Sequence, residues 1–358
     1  MAGLLGTLPG DGRLLAKKKE DEMKVDSGIP SVGIEEIVAT AQELEGLGYD
    51  GGFTAETNHD PFLALVIAAE HTETLELGTT IAVAFARNPM TLANIGHDLQ
   101  LLSKGRFRLG LGSQIKAHIE KRFSMPWSHP AARMRELVLA MKAIWACWNN
   151  GEKLEFRGEF YNHTLMTPFF DPGPSPYGPP SVQLAAVGEL MTEVAGEVAD
   201  GMILHGFTTE RYVREVTLPA LERGFAKAGK TRADFDLSGP LFVVTGTSDE
   251  EVEAARQGTK QQIAFYGSTP AYRGVLELHG WGALQDDLNK LSKQGKWVEM
   301  GELIDDEMLE TFAVIADPEE VPKALTTRYG DVVDRLSFYA PYRSDPDRWR
   351  QILAGFKE

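Results

Sequence analysis

Residues 104–118 of the chain read KGRFRLGLGSQIKAH. A turn at Lys104-Gly105 leads into the run from Phe107 to Leu111, whose apolar and small residues predict a short buried strand. Glycine at the end of that run, in Gly112-Ser113, lets the backbone approach a ligand closely. Cationic side chains follow at once, at Lys116, His118, Lys121 and Arg122. The stretch therefore indicates either a strand whose carboxyl end holds a phosphate or an ordinary tight turn.

The composition limits the partners of the chain. Its 358 residues are 43% hydrophobic and 25% charged, which is typical of a globular protein with a full core. The formal net charge of −16 argues against a nucleic-acid partner or an anionic membrane surface. Any anion site must then be built locally, from backbone donors and a few placed cations. No apolar run is long enough to cross a bilayer.

The single cysteine and the amino-terminal segment set the expected compartment and domain. Cys147 lies in an apolar helical pattern, so an internal disulfide is excluded and a reducing cytoplasm is expected. Residues 1–22 are interpreted as a leader outside the fold, disordered or non-native. Their apolar part is too short for a secretory signal, and residues 17–22 form a solvated charge run. We expect a single domain over residues 23–358.

Strand and helix patterns alternate from Met23 onward. Short apolar runs predict eight strands, at 25–27, 50–55, 75–83, 107–111, 182–187, 201–205, 237–245 and 332–339. Helical spacing, proline starts and glycine ends predict helices at 34–47, 61–71, 89–102, 130–148, 189–198, 210–228, 249–265, 318–329 and 346–356.

This alternation predicts an α/β fold, a (β/α)8 TIM barrel, rather than a doubly wound open sheet. Insertions are expected after strands 4 and 7. The first holds a hairpin at 154–166 and a proline-rich loop at 168–180, and the second is a mixed, mainly helical segment at 267–312.

Functional residues of such a barrel lie at the carboxyl ends of the strands. Glu56 and His59 follow strand 2, Arg87 follows strand 3, and His205 ends strand 6. Histidine changes charge near neutral pH, which suits acid–base chemistry. The alternative for His59 is a structural place at the start of the next helix. No His-x-His or comparable cluster ends a strand, so no metal site is predicted.

Several motifs, taken in order, resemble the bacterial luciferase-like superfamily. They are LGTTI at 77–81, RNP at 87–89, LSKGRF at 102–107, LGLG at 109–112, AAVG at 185–188 and AGEVADG at 195–201. Two further segments, AETNHDPF at 55–62 and KAHIE at 116–120, are similar to an actinobacterial branch that uses coenzyme F420, a 5-deazaflavin.

The resemblance implies roles for particular residues. A cis peptide bond at Thr80-Ile81 would support the central ring of the cofactor, and Lys116 and His118 would meet the acidic tail of the deazaflavin. Many relatives carry a catalytic histidine directly after the strand 2 carboxylate. Here Thr57 follows Glu56, so that role is carried to His59, with Glu56 and Asp60 as its carboxylate partners. The phosphate contacts implied by the family fall on Gly112, Ser113, Gln114, Val187 and Gly188.

The function implied by the resemblance is an F420-dependent oxidoreductase, which transfers hydride between the 5-deazaflavin coenzyme and a small organic substrate. An FMN-dependent luciferase-like monooxygenase is the alternative. A non-catalytic deazaflavin-binding protein is the second alternative, because the strand 2 histidine is displaced. The resemblance also implies a homodimer.

Overall fold

Eight parallel strands close into a barrel in the computed structural model, which describes residues 23–357. Around the barrel the order is β1-β2-β3-β5-β8-β9-β10-β12, and the pairing of β12 with β1 closes it. In chain order the strands are β1 (Lys24–Gly28), β2 (Gly51–Thr54), β3 (Glu76–Thr79), β4 (Ala82–Val83), β5 (Phe107–Gly112), β6 (Phe156–Arg157), β7 (Asn162–His163), β8 (Ser181–Ala186), β9 (Gly201–Leu204), β10 (Asp236–Val244), β11 (Ala313–Ile315) and β12 (Arg335–Tyr339).

Helices surround the barrel, and several begin where the sequence supplies a cap. Asp60 and Asn88 each accept a backbone N–H bond at a helix start, and a proline follows each of them. Gly48, with φ of 87°, ends the first helix. The helices are α1 (Ile34–Leu47), α2 (Pro61–His71), α3 (Pro89–Leu102), α4 (Lys116–Lys121), α5 (Pro130–Asn150), α6 (Glu189–Val198), α7 (Glu210–Tyr212), α8 (Leu218–Ala228), α9 (Asp249–Gly267), α10 (Arg273–Leu278), α11 (Leu284–Lys293), α12 (Trp297–Glu302), α13 (Asp306–Phe312), α14 (Val321–Tyr329) and α15 (Pro346–Ala354).

The predicted barrel is confirmed, and the local differences have physical causes. The strand predicted at 75–83 is divided into β3 and β4, and the cis peptide Thr80-Ile81 lies between them. The strand predicted at 332–339 is β12, and it begins at Arg335. The N–H groups of Val332 and Val333 both donate to the Tyr329 carbonyl in a tight turn, which delays the start of the strand. The helix predicted at 210–228 contains a π-helical segment at 213–217. The leader predicted at residues 1–22 lies outside the described residues.

Two elements were not predicted. Helix α4 forms in the cationic stretch after β5, and β11, which directly follows the segment expected to be helical, pairs with β10. The second insertion has its own apolar cluster, in which Phe207, Phe242 and Phe312 meet residues of α9 to α13. This cluster places the second insertion beside the ends of β9 and β10.

Apolar side chains on the outer face of the barrel strands form the main core, and a buried ionic cluster fills the amino-terminal end of the interior. Arg335, whose side chain is 2% exposed, donates to both oxygens of Asp26 at 2.8 and 2.6 Å and to Glu76 at 2.7 Å. Arg108 pairs with Glu76 and with Asp236. Burial would raise the pKa of Glu76, but the neighbouring cations, Arg335 foremost, hold it at about 2.

We expect Arg335→Met to lower the free energy of unfolding by about 3–5 kcal/mol, because it leaves the buried Asp26 carboxylate without the cation that pairs with it. Urea denaturation at pH 7 measures the change. The matched control is Arg157→Met, which removes an exposed pair with Glu155 and should cost less than about 1 kcal/mol. Equal losses in the two variants would contradict a structural role for the ionic cluster.

Candidate functional site

The carboxyl ends of the barrel strands open into a cavity of about 1210 Å³. The ionic cluster closes the amino-terminal end of the barrel interior. At the carboxyl-terminal end, small residues line the cavity and leave it unfilled; they include Gly28, Gly112, Ala185, Ser238 and Ser337. The cavity continues into a groove between α1 and α15, beside Leu47 and Trp349. This volume is ample for a cofactor together with a small substrate.

All the predicted cofactor-binding residues except His118 line this cavity. They come from four places in the chain that the barrel brings together. These are the segment between β3 and β4 (Thr80, Ile81), the end of β5 and the residues after it (Gly112, Ser113, Gln114), the start of α4 (Lys116) and the turn after β8 (Val187, Gly188). His118 lies on α4 with its side chain exposed to solvent, outside the lining.

The backbone between β8 and α6 offers an anion site. Gly188 precedes the first residue of α6, so the positive end of the helix dipole points towards it. A Cβ added at Gly188 would meet nothing within 4 Å, so the backbone borders open space. Glu189 in the first turn carries the opposite charge to that dipole end, but Arg223 neutralises it at 2.8 Å. The site can therefore accept a phosphate through main-chain groups.

The cis peptide bond lies where the resemblance placed it, at Thr80-Ile81. Hydrogen bonds on both sides fix this segment to the end of strand 2: the Thr80 N–H donates to the Thr54 carbonyl at 2.7 Å, and the Glu56 N–H donates to the Ile81 carbonyl at 3.1 Å. Gly112 packs closely opposite it, because a Cβ there would lie 2.8 Å from the Ile81 side chain. The bulge thus presents Thr80 and Ile81 to the cavity.

Glu56 is occupied by structural contacts. Its Oε2 accepts from the Val83 N–H at 2.7 Å and from Arg87 Nη1 at 2.6 Å, and its side chain is 6% exposed. Arg87 also pairs with Asp60 at 2.9 Å. Glu56 is not among the residues that line the cavity. In this structure it is a positioning residue that holds β4 after the cis bond, rather than a group that faces the cavity.

His59 is exposed and does not line the cavity. It lies in the loop between β2 and α2, next to Asp60, whose carboxylate accepts from the Phe62 N–H at 2.9 Å. Neither predicted catalytic residue is therefore part of the lining, and the catalytic roles of His59 and Glu56 stay predictions.

The sequence patterns missed an aromatic part of the lining. We call it the aromatic patch, and it consists of His205, Gly206, Tyr266, Tyr272 and Tyr339. His205 directly follows β9 and was a candidate from the sequence. Tyr266 lies in the last turn of α9, one residue beyond the predicted helix, and Tyr272 comes from the second insertion. Only Tyr339 carried a usable signal, since it follows Arg335 and Ser337 at alternating, inward positions of β12.

Burial controls the ionisation of this patch. It lowers the pKa of His205 to about 4, so the imidazole is neutral at pH 7. It also raises the pKa of Tyr339, and the hydrogen bond between the Tyr339 and Tyr266 hydroxyls acts in the same direction. The patch is therefore uncharged near neutral pH.

Within residues 23–357, no group of three or more histidine, cysteine, aspartate or glutamate side chains is arranged to hold a metal ion. Within the same residues, no helix combines the length and the apolar character needed to span a membrane.

Comparison with known proteins identifies relatives of this barrel. The model of the luciferase-like monooxygenase family matches residues 16–335. An uncharacterised protein of Mycobacterium tuberculosis is 57% identical over 314 residues, which covers 88% of this chain and 92% of that protein. A 5,10-methylenetetrahydromethanopterin reductase of Archaeoglobus fulgidus is 26% identical over 334 residues, which covers 91% of this chain and 95% of that protein.

A solved structure shares the fold. The coenzyme F420-dependent tetrahydromethanopterin reductase of Methanopyrus kandleri superposes with a TM-score of 0.74 at 21% identity, covering 94% of this chain and 97% of that chain. The likeness confirms the luciferase-like form of the barrel.

We expect Glu56→Ala to lower the free energy of unfolding by about 1–3 kcal/mol, because the Val83 N–H and the Arg87 guanidinium lose their acceptor. Urea denaturation measures the loss. Glu299→Ala is the control, since Glu299 forms an exposed pair with Lys296 and its removal should cost less than about 1 kcal/mol. A Glu56→Ala variant as stable as the control would rule out the positioning role.

Proposed function

Because this chain belongs to the luciferase-like monooxygenase family, we propose that it is an oxidoreductase that binds coenzyme F420 in the barrel cavity and acts on a small organic substrate. One observation carries the proposal. Backbone groups suited to a phosphate, at Gly112 to Gln114 and at Gly188, line the same cavity as the Thr80-Ile81 bulge. The F420-dependent reductase that shares the fold supports the choice of cofactor.

The residues present fit a deazaflavin. The phosphate would lie against Gly112, Ser113, Gln114, Val187 and Gly188, where the open space at Gly188 leaves room for it. Thr80 and Ile81 would support the ring. When bound, the deazaflavin supplies hydride transfer at its C5. The protein contributes the binding site, the orientation of the ring and a partly enclosed space for the substrate.

Lys116 favours F420 over FMN in this proposal. Its side chain is 65% exposed, and its only ionic partner is Glu120 at 3.8 Å among the described residues. An ammonium so weakly paired can attract further carboxylates at the mouth of the cavity, and the tail of F420 is acidic whereas FMN ends at its phosphate. His118 on the same short helix would add to this attraction only in its protonated form.

An FMN-dependent monooxygenase is the second candidate function, because the family description itself names that activity. The phosphate-binding part of the cavity would serve FMN equally well. A non-catalytic deazaflavin-binding protein is the third candidate, since neither Glu56 nor His59 lines the cavity. The first two candidates use different cofactors. The third binds the same cofactor as the first but catalyses no reaction.

Titration of the purified protein with each cofactor separates the candidates. We expect saturable binding of oxidised F420, followed by its fluorescence, and weaker binding of FMN under the same conditions. Lys116→Ala should weaken the binding of F420 and leave that of FMN unchanged, because only F420 carries the acidic tail. Tight FMN binding without F420 binding would overturn the proposal in favour of the monooxygenase.

Gly188→Ala tests the phosphate site without disturbing the fold. The added methyl group meets no protein atom within 4 Å and the backbone angles (φ −79°, ψ 150°) suit alanine, so stability should be unchanged. We expect cofactor affinity to fall at least about ten-fold, because the methyl group would keep the phosphate from the main chain. Gly46→Ala is the control, since this position in α1 is equally open but lies outside the cavity lining. Unchanged affinity in Gly188→Ala would place the phosphate elsewhere.

A further inference from the structure

The aromatic patch occupies the part of the cavity between β9 and β12, beyond the phosphate-binding residues of β5 and β8. Its rings contact one another: the His205 ring lies 4.6 Å from that of Tyr266 and 4.5 Å from that of Tyr272, measured between centroids. Neither the family motifs nor the proposed cofactor contacts include these residues. Their contacts indicate what else the cavity binds.

Hydrogen bonding fixes the tautomer of His205. Its Nδ1 accepts from the Phe207 N–H at 3.0 Å, so the proton of the neutral ring lies on Nε2. That Nε2 faces the Tyr272 hydroxyl at 3.3 Å, and the Nε2–H group therefore donates to it. The hydroxyl proton of Tyr272 is then left to donate to a ligand in the cavity.

A second free donor comes from the pair Tyr266 and Tyr339. Their hydroxyl oxygens are 2.6 Å apart, so one O–H donates to the other. One of the two hydroxyl protons forms this hydrogen bond, and the other is free to donate to a ligand. The aromatic patch thus offers two O–H donors and no competing acceptor with a full negative charge.

Tyr339 is held rigidly in this arrangement. Its ring stacks on that of Phe242 at 4.6 Å with an interplanar angle of 15°. On the other side, a Cβ at Gly206 would lie 2.8 Å from the Tyr339 ring, so the glycine backbone packs directly against it. A ligand therefore meets a donor that is already oriented.

Charged residues line the cavity only at other places. Asp26, Arg108 and Arg335 are paired within the ionic cluster, and Lys116 lies at the β5 side. Glu43 and Arg350 pair with each other, at 2.5 Å, between α1 and α15. No cation within the described lining is part of the aromatic patch, so a carboxylate or phosphate bound there would lose its hydration without gaining a counterion.

We infer that the aromatic patch is the substrate subsite and that it binds an uncharged compound through a carbonyl or hydroxyl oxygen. The hydroxyls of Tyr272 and of the Tyr266–Tyr339 pair donate to that oxygen, and the rings cover the apolar part of the molecule. Calling this ligand a substrate rests on the proposed function, whereas its binding to the patch does not require the cofactor.

Binding of matched probes to the full-length, cofactor-free protein tests this inference. The probes are cyclohexanone and cyclohexanol, which are neutral, and cyclohexanecarboxylate, which has the same ring with a negative charge. Saturation-transfer NMR at pH 7 should give affinities at least about ten-fold higher for the neutral probes. Tyr272→Phe and the double variant Tyr266→Phe/Tyr339→Phe should each weaken the binding of cyclohexanone about five-fold, because each removes one of the two free O–H donors.

Tyr177→Phe is the control, since Tyr177 lies on a loop outside the cavity lining and its substitution should leave the probe affinities unchanged. Thermal unfolding of each variant verifies that the fold is retained. The inference is overturned if the carboxylate binds as tightly as the neutral probes, or if both phenylalanine variants bind cyclohexanone like the wild type. Failure of F420 to bind alongside normal probe binding would instead overturn the proposed function and leave this inference standing.

Discussion

The rest of the barrel depends on the ion pairs that the buried guanidinium of Arg335 forms. This guanidinium connects β12 to β1 through Asp26 and to β3 through Glu76, and Arg108 extends the ion pairs from β5 to Asp236 at the start of β10. Strands distant in sequence are thereby joined in the interior, where apolar packing alone would favour a filled core. Because this cluster fills the amino-terminal end, the opposite end can be lined by small residues and remain open.

The cavity that results divides into parts of different chemistry. Main-chain groups at Gly112 to Gln114 and at Gly188 suit an anion, and the neutral hydroxyls near His205 suit an uncharged oxygen. The Thr80-Ile81 segment lies at the end of β3, fixed by the contacts that Glu56 makes with Val83 and Arg87. The proposed function uses this division, with the cofactor at the first part and the substrate at the second.

The sequence predicts the barrel and its glycine-rich cofactor region because both depend on local patterns. Apolar periodicity marks the strands, and the glycines at 110 and 112 mark places where a side chain would collide with Thr79 or Ile81. The contacts of Glu56 could not be predicted from the sequence, because its pairing with Arg87 depends on how two loops pack together. Tyr272 was missed because the second insertion has no periodic signal that places its residues at the cavity. Tyr266 was missed because it lies just beyond residue 265, where its helix was predicted to end. The homodimer and the catalytic roles of His59 and Glu56 stay predictions from the resemblance, and the cytoplasmic location stays a prediction from the single cysteine.

A crystal structure of the protein with bound F420 tests the central claim most directly. The account predicts a phosphate within about 3 Å of main-chain N–H groups near Gly112 to Gln114 and Gly188, with the ring against Thr80 and Ile81. It also predicts that the aromatic patch remains uncovered by the cofactor and open to a substrate. A cofactor bound with its phosphate away from these glycines, or with its ring stacked on Tyr272 and Tyr339, would contradict the account.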